Sequence, residues 1–276
     1  MLKTGKLLRL RRLSLAGDER HLLVPLDHSV SDGPIVPADK WDDLLRALVA
    51  GGADGIIVHK GRARAFAPDI LGSCALVVHL SASTARSADV DAKVLVADVE
   101  EALRLGADAV SVHVNIGSDT EAQQLADLGA VARSCDAWGM PLIAMVYPRG
   151  PRIEDPRDPA LLAHLANVAA DLGADMVKTS VALPIERMAE VVASSPIPVL
   201  AAGGPPDGSD LVEYGTAVMA TGCRGLAIGR RIFSSPSPAS LVSRLSAVVH
   251  GGGDSAPDDM NMTEYSTIVA GVAGVA

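Results

Sequence analysis

The sequence predicts a (β/α)8 TIM barrel, one domain built from alternating strands and helices. Three observations carry that expectation. Short apolar runs alternate with helical patterns along nearly the whole chain, and eight such runs can be counted. The runs are continuously apolar, as in parallel strands covered on both faces. One junction also recurs: Gly52-Ala53-Asp54, Gly106-Ala107-Asp108 and Gly173-Ala174-Asp175 each stand between a helix end and a strand start. Gly222-Cys223-Arg224 reads as a degraded fourth copy. Glycine there supplies a left-handed C-cap, and Ala-Asp makes the short turn into the next strand. A doubly wound open sheet would more often carry a glycine-rich turn after its first strand. The first run here ends in Asp27-His28 instead.

Residues 1–20 read as an N-terminal capping segment, a short helix and a turn. Leu22 to Asp27 is the first strand, and helical spacing from Ala38 to Ala50 stops at Gly51-Gly52. Gly55–Lys60 and Ala75–Leu80 are the next two strands. A helix is expected from Val94 to Leu105, then a strand from Ala109 to Val114 and a long amphipathic helix from Asp119 to Trp138. Pro141–Tyr147 is a strand, Asp158–Leu172 a helix, and the strand ending at Lys178 follows. Pro184 opens a helix running to Ser194, at a position that tolerates proline. Pro198–Ala202 is the seventh strand, Ser209–Thr221 a helix, Gly225–Arg230 the eighth strand and Leu241–His250 the closing helix. The barrel thus occupies 21–250, and 251–276 reads as a flexible C-terminal extension.

Composition narrows the function classes. Hydrophobic residues make up 49% of the chain and aromatics 3%, so the core must be built from Ala, Val, Leu and Ile. A net charge of −9, with no basic cluster beyond the first dozen residues, argues against nucleic acid as a partner. Lys3, Lys6, Arg9, Arg11 and Arg12 interleave with Leu, which fits a short amphipathic helix lying on the domain rather than a membrane anchor. Cys74, Cys135 and Cys223 are far apart and suggest neither a disulfide framework nor a zinc site. Without a long apolar run or a signal-peptide pattern, the expectation is a soluble, cytoplasmic protein.

In such barrels the chemistry lies at the C-terminal ends of the strands. Those ends carry Asp27-His28, His59-Lys60, His79, His113, Tyr147, Lys178, Gly203-Gly204 and Gly229-Arg230. Lys178 stands out because Met176, Val177, Val181 and Leu183 around it are apolar. Burial disfavours an ammonium, and each unit below the ordinary value of about 10.4 multiplies the nucleophilic amine about tenfold. Such a lysine either snorkels to solvent or pairs with a carboxylate, or it attacks a ketone. A lysine among the histidines would repel a metal ion, so no metal and no other cofactor is expected. Loops after strands seven and eight of such barrels often hold phosphate, and Gly203, Gly204, Gly229 and Arg230 supply close backbone approach and a cation.

These segments resemble a known family. Val24-Pro25-Leu26-Asp27-His28, His79 to Thr84, Val112 to Gly117, Tyr147-Pro148-Arg149-Gly150, Val177-Lys178-Thr179, Ala202-Gly203-Gly204-Pro205 and Gly229 to Phe233 are similar to the class I, DhnA-type, Schiff-base aldolases. Within that family the chain looks most like the synthases of a seven-carbon amino-dideoxy-heptulosonate skeleton. The resemblance implies that Lys178 is the Schiff-base lysine, Tyr147 the proton donor or acceptor, and Asp27 a further acid–base or orienting group. It places His28, His113 and Arg149 among the substrate contacts. It also implies a phosphorylated ketone donor, aspartate semialdehyde as acceptor, and a ring-shaped homo-oligomer, often a decamer. Two departures bear on substrate. Pro206 stands where the family usually has a phosphate-holding lysine, and Met145 stands where fructose-bisphosphate aldolases can carry Trp. A fructose-bisphosphate aldolase, a thiolase-like acyltransferase and a non-catalytic phosphosugar-binding regulator remain open beside the synthase.

Overall fold

The computed structural model describes residues 4–203 and 209–251. Eight parallel strands close into a barrel: β1 (His21–Pro25), β2 (Gly55–His59), β3 (Ala75–His79), β4 (Ala109–Ile116), β5 (Leu142–Pro148), β6 (Met176–Thr179), β7 (Val199–Ala202) and β8 (Gly225–Ala227). Each pairs with its neighbours in sequence, and β1 pairs with β8 to complete the ring. The period-two alternation of a strand explains why these runs are apolar throughout. Leu23, Ile57, Val77, Ile143, Met176 and Leu200 fill the barrel interior. Their neighbours Leu22, Ile56, Val78, Leu142, Val177 and Val199 face outward against the helices.

The longer helices are α1 (Thr4–Arg12), α2 (Trp41–Ala50), α3 (Val99–Arg104), α4 (Glu121–Trp138), α5 (Pro159–Asp171), α6 (Met188–Ser194), α7 (Leu211–Met219) and α8 (Pro238–His250), and single helical turns cover His28–Ser31, Lys60–Ala63 and Arg230–Phe233. Among the described residues, no helix is long and apolar enough to cross a membrane. Several boundaries differ from the sequence expectation. The helix expected from Val94 begins only at Val99, because the Asp98 carboxylate accepts the Glu101 N–H at 2.6 Å and caps it there. Val94–Leu95 instead pairs antiparallel with Ser81–Ala82. After Pro184 the chain makes a 3-10 turn, Ile185–Arg187, before α6. The eighth strand stops at Ala227, and Arg230 opens a helical turn, Arg230–Phe233. The C-terminal extension beyond Gly251 lies outside the described residues.

The recurrent Gly-Ala-Asp junction proves to be a device of the barrel's N-terminal end. Gly52, Gly106, Gly173 and also Gly222 all have φ between 78° and 92°, the left-handed cap that favours glycine. The aspartates then reach sideways. Asp54 accepts from Leu22 N at 2.6 Å, Asp108 from Leu76 N at 3.2 Å and Asp175 from Leu142 N at 2.8 Å. β2, β4 and β6 so hold the starts of β1, β3 and β5, the odd-numbered strands before them. The free carboxylate oxygens seat the N-terminal segment: Lys6 on Asp175 at 2.9 Å, Arg12 on Asp108 at 3.2 Å and Leu15 N on Asp54 at 2.6 Å. Leu13 is fully buried and closes the interior from below. The basic helix is therefore held by acids at the barrel floor.

Candidate active site

A cavity of about 890 Å3 opens at the other end, where the strands terminate. Because strand residues alternate, the inward positions above the apolar floor are His59 on β2, His79 on β3, His113 on β4, Tyr147 on β5 and Lys178 on β6, and all of them line it. Lys178 is buried and lies in register with Met145 on the neighbouring strand, whose sulfur is 4.0 Å from its amine. Among the described residues no carboxylate comes within 4.0 Å of that amine. Tyr147 is one inward position higher on β5, buried, with the Arg149 guanidinium 4.6 Å from its ring centre and His113 at 5.0 Å. His113 is fixed by a 2.8 Å contact between Nε2 and Asn115 Oδ1.

Asp27 sits just past the end of β1, surrounded by imidazoles. Its Oδ2 is 3.8 Å from His79 Nε2, and its Oδ1 is 3.5 Å from His28 Nδ1. Neither Asp27 Oδ1 nor His28 Nδ1 makes a hydrogen bond, although both are buried, so each is available to a bound hydroxyl. Burial opposes the charge on Asp27, but His79, then Lys178, His28 and His59, hold its pKa down at about 2. Burial pushes His79 down to about 4 despite Asp27, and it also lowers His28, His59 and His113. In neutral solution the site is thus a carboxylate ringed by neutral imidazoles. Ser111 Oγ lies 2.8 Å from His79 Nδ1 and holds that ring in place.

Across the mouth, Gly203, Gly229 and Arg230 line the cavity. Gly229 has no room for a side chain: a Cβ there would lie 2.4 Å from Pro25 O and 2.6 Å from the His28 ring. Arg230 is exposed on the rim, and Arg231 beside it donates to Ser209 O. Gly204 and Pro206 lie outside the described residues.

The structure therefore brings together Lys178, Tyr147, Asp27, His28, His113, Arg149, Gly203, Gly229 and Arg230. Lys60 does not join them. It follows inward-facing His59, so alternation turns it out of the barrel, where its amine is 2.9 Å from Glu101. The sequence pattern does not single out Lys93, yet it lines the cavity and donates to Ser83 Oγ. Nothing in its local sequence marks it, since the helical spacing from Val94 places it just before a helix.

A lysine presented to a cavity at the strand C-termini is the working part of barrel enzymes that hold a carbonyl compound as an imine. This chain is one of them by descent: it belongs to the DeoC/LacD family of aldolases, which matches residues 21–235. It is a class I aldolase. A 2-amino-4,5-dihydroxy-6-oxo-7-(phosphonooxy)heptanoate synthase of Streptomyces griseus is 49% identical over 248 residues, covering 89% of this chain and 90% of that one. A 2-amino-3,7-dideoxy-D-threo-hept-6-ulosonate synthase of Halobacterium salinarum is 38% identical, covering 92% of this chain and 95% of that one. Among solved structures, an archaeal fructose 1,6-bisphosphate aldolase superposes with a TM-score of 0.80 at 26% identity, covering 90% of this chain and all of that one (100%). A Schiff-base-forming fructose-1,6-bisphosphate aldolase, analysed through its reaction intermediates, gives 0.79 at 26% identity, covering 88% of this chain and 99% of that one.

Proposed function

We propose that the protein joins a three-carbon unit from a phosphorylated ketone to aspartate semialdehyde to give a seven-carbon amino-oxo-heptanoate; the donor is dihydroxyacetone phosphate, or a deoxy-ketohexose phosphate that first loses its other three carbons as an aldehyde. The observation that carries the reading is the Lys178 amine, free of any carboxylate within 4.0 Å among the described residues and sharing one cavity with Tyr147 and Asp27. The Streptomyces relative's product supports the choice of substrates. Its ketone at C6 and hydroxyl at C4 mark the bond between C4 and C5 as the one an aldol addition forms. Cutting there leaves dihydroxyacetone phosphate on one side and aspartate semialdehyde on the other. The Halobacterium relative's product name carries no phosphate, and the cationic rim at Arg230 and Arg231 favours a phosphorylated donor here.

The steps follow from the groups present. The Lys178 amine adds to the donor ketone and water leaves, forming an iminium. The adjacent carbon loses a proton to a neighbouring base, for which Tyr147 and Asp27 are the candidates. The resulting enamine carbon bonds to the aldehyde carbon, and the new alkoxide takes up a proton. Water then hydrolyses the imine, which releases product and restores the amine. A positioned acid–base group contributes about 10²–10⁴-fold to such a step.

One observation favours a second reading. Lys93 joins Arg149 on the acceptor side, so a second phosphate would also find cations there, as a fructose-bisphosphate aldolase requires. The test supplies dihydroxyacetone phosphate with either aspartate semialdehyde or glyceraldehyde 3-phosphate and compares kcat/KM. Preference for aspartate semialdehyde is expected. Preference for glyceraldehyde 3-phosphate, or rapid cleavage of fructose 1,6-bisphosphate, would replace this reading by the second.

A further inference from the structure

Lys93 is a cation in an unusual position. It stands in the segment joining the short strands Ser81–Ala82 and Val94–Leu95, faces the main cavity, and donates to Ser83 Oγ. Among the described residues, neither Lys93 nor Arg149 has a carboxylate within 4.0 Å. Burial lowers the Lys93 pKa, and the charge of Arg149 adds to that effect. Two cations that feel one another in a partly buried site, without an acid on either, destabilise each other until an anion arrives.

The segment is built to hold this arrangement. The Asp91 carbonyl accepts Asn115 Nδ2 at 2.8 Å and Gln124 Nε2 at 3.0 Å. Both amides belong to residues buried to 1% exposure or less, anchored on β4 and α4. Asp89 Oδ1 accepts Asp91 N at 2.9 Å and Ala92 N at 3.2 Å, which folds the turn just before Lys93. Buried polar groups spent on the carbonyl of an irregular segment fix where the following side chains stand.

The two cationic poles of the cavity lie on different strands' loops. Arg230 follows β8 and is felt by His28, whereas Lys93, on the loop after β3, and Arg149, just after β5, flank the end of β4, and Lys93 is felt by His79 and His113. In an eight-stranded ring β4 is diametrically across from β8. A ligand anchored at both poles needs two anionic ends with the reacting carbons between them, above Lys178. Acids complete the pattern on the Lys93 side only in part: Asp91 and Asp32 line the same cavity and act on the Lys93 charge from a distance. A cation pair that shares its cavity with acids, without being paired to them, suits a carboxylate that carries an α-ammonium. A dianionic phosphate would be repelled by those acids.

Resting on the reaction given above, we propose that Lys93 and Arg149 form a second anion subsite, across the cavity from Arg230. It takes the α-carboxylate of the acceptor aldehyde, with Asp91 facing its α-ammonium. Lys93 is thereby the residue that makes the acceptor an amino-acid aldehyde.

The test uses the full chain and the variants Lys93→Met, Lys93→Gln and Lys93→Arg, with dihydroxyacetone phosphate as donor. Acceptors are aspartate semialdehyde, glyceraldehyde 3-phosphate and the uncharged propanal. Lys93→Met and Lys93→Gln should raise KM for aspartate semialdehyde about 10- to 100-fold, the effect of one charge-assisted hydrogen bond. Use of propanal should stay within about twofold, a margin well below the effect of one such bond. Lys93→Arg should recover most of the loss. Borohydride trapping of the donor should keep its wild-type concentration dependence, because the donor half of the site is untouched. An equal loss with propanal, a loss confined to glyceraldehyde 3-phosphate, or an unchanged KM for aspartate semialdehyde would each overturn the proposal. A wild-type chain that fails to trap dihydroxyacetone phosphate refutes the underlying reaction instead, so the two failures are separable.

Discussion

At the residue scale the site depends on where one amine is placed. Lys178 is inward because it lies two positions from Met176 on the same strand, and its place opposite Met145 puts it against a thioether rather than a carboxylate. Lys178→Ala should abolish turnover and borohydride trapping while circular dichroism and melting stay close to wild type, since a side chain at the cavity adds little to the core. Lys60→Ala should trap normally, because Lys60 points outward to Glu101. Trapping retained in Lys178→Ala would move the nucleophile elsewhere. Tyr147→Phe should still form the imine but turn over about 10²-fold more slowly, as expected for one lost acid–base group. Single-turnover kinetics separate the two steps, and a near-normal rate would shift the proton transfer to Asp27 or His28.

At the scale of elements, the Gly-Ala-Asp turns tie neighbouring strands together at the floor, and α8 joins that arrangement through its last residue. His250 Nε2 lies 3.0 Å from Asp54 Oδ2, and its Nδ1 lies 3.0 Å from Asp18 Oδ2. The hydrogen bond to Asp54, against burial and with help from Asp18, raises its pKa to about 8. The unfolded chain would titrate this group near 6.5. A raised pKa means that the stabilisation is complete below about 6.5 and is lost as pH rises through about 8. Discounted for partial solvent exposure, it is on the order of 1 kcal/mol. His250→Gln should therefore melt below wild type at pH 6 and almost with it at pH 9. A gap independent of pH would show that the residue acts through packing alone.

At the scale of the whole molecule, barrel closure sets two cationic poles on opposite sides of one cavity. Arg230→Ala should raise KM for the phosphorylated donor about 10- to 100-fold and leave KM for the aldehyde little changed. Combined with Lys93→Met, the two losses in kcat/KM should add to within about 0.5 kcal/mol, as for distant sites with no shared partner. Equal effects of Arg230→Ala on both substrates would make that arginine structural. Strong coupling between the two variants would mean that both residues grip the same end of the substrate.

The sequence by itself determined the eight strand–helix units, the left-handed glycines that end four of the helices, and the lone lysine among apolar residues at the end of β6. Each of these is local: a period of two or 3.6, a cap, or a short turn is written within a dozen residues. Only the tertiary structure decided the rest. That Asp54, Asp108 and Asp175 cap the strands before them depends on backbone donors about 30 residues away. That Lys60 leaves the site and Lys93 enters it depends on which way a strand faces once the ring closes, and on Val94–Leu95 pairing with Ser81–Ala82. A strand of two residues has too little pattern to be recognised alone, and its partner was supplied by the fold. The grouping of His28, His59 and His79 around Asp27 has the same origin, because a ring of parallel strands brings residues far apart in sequence to a common rim.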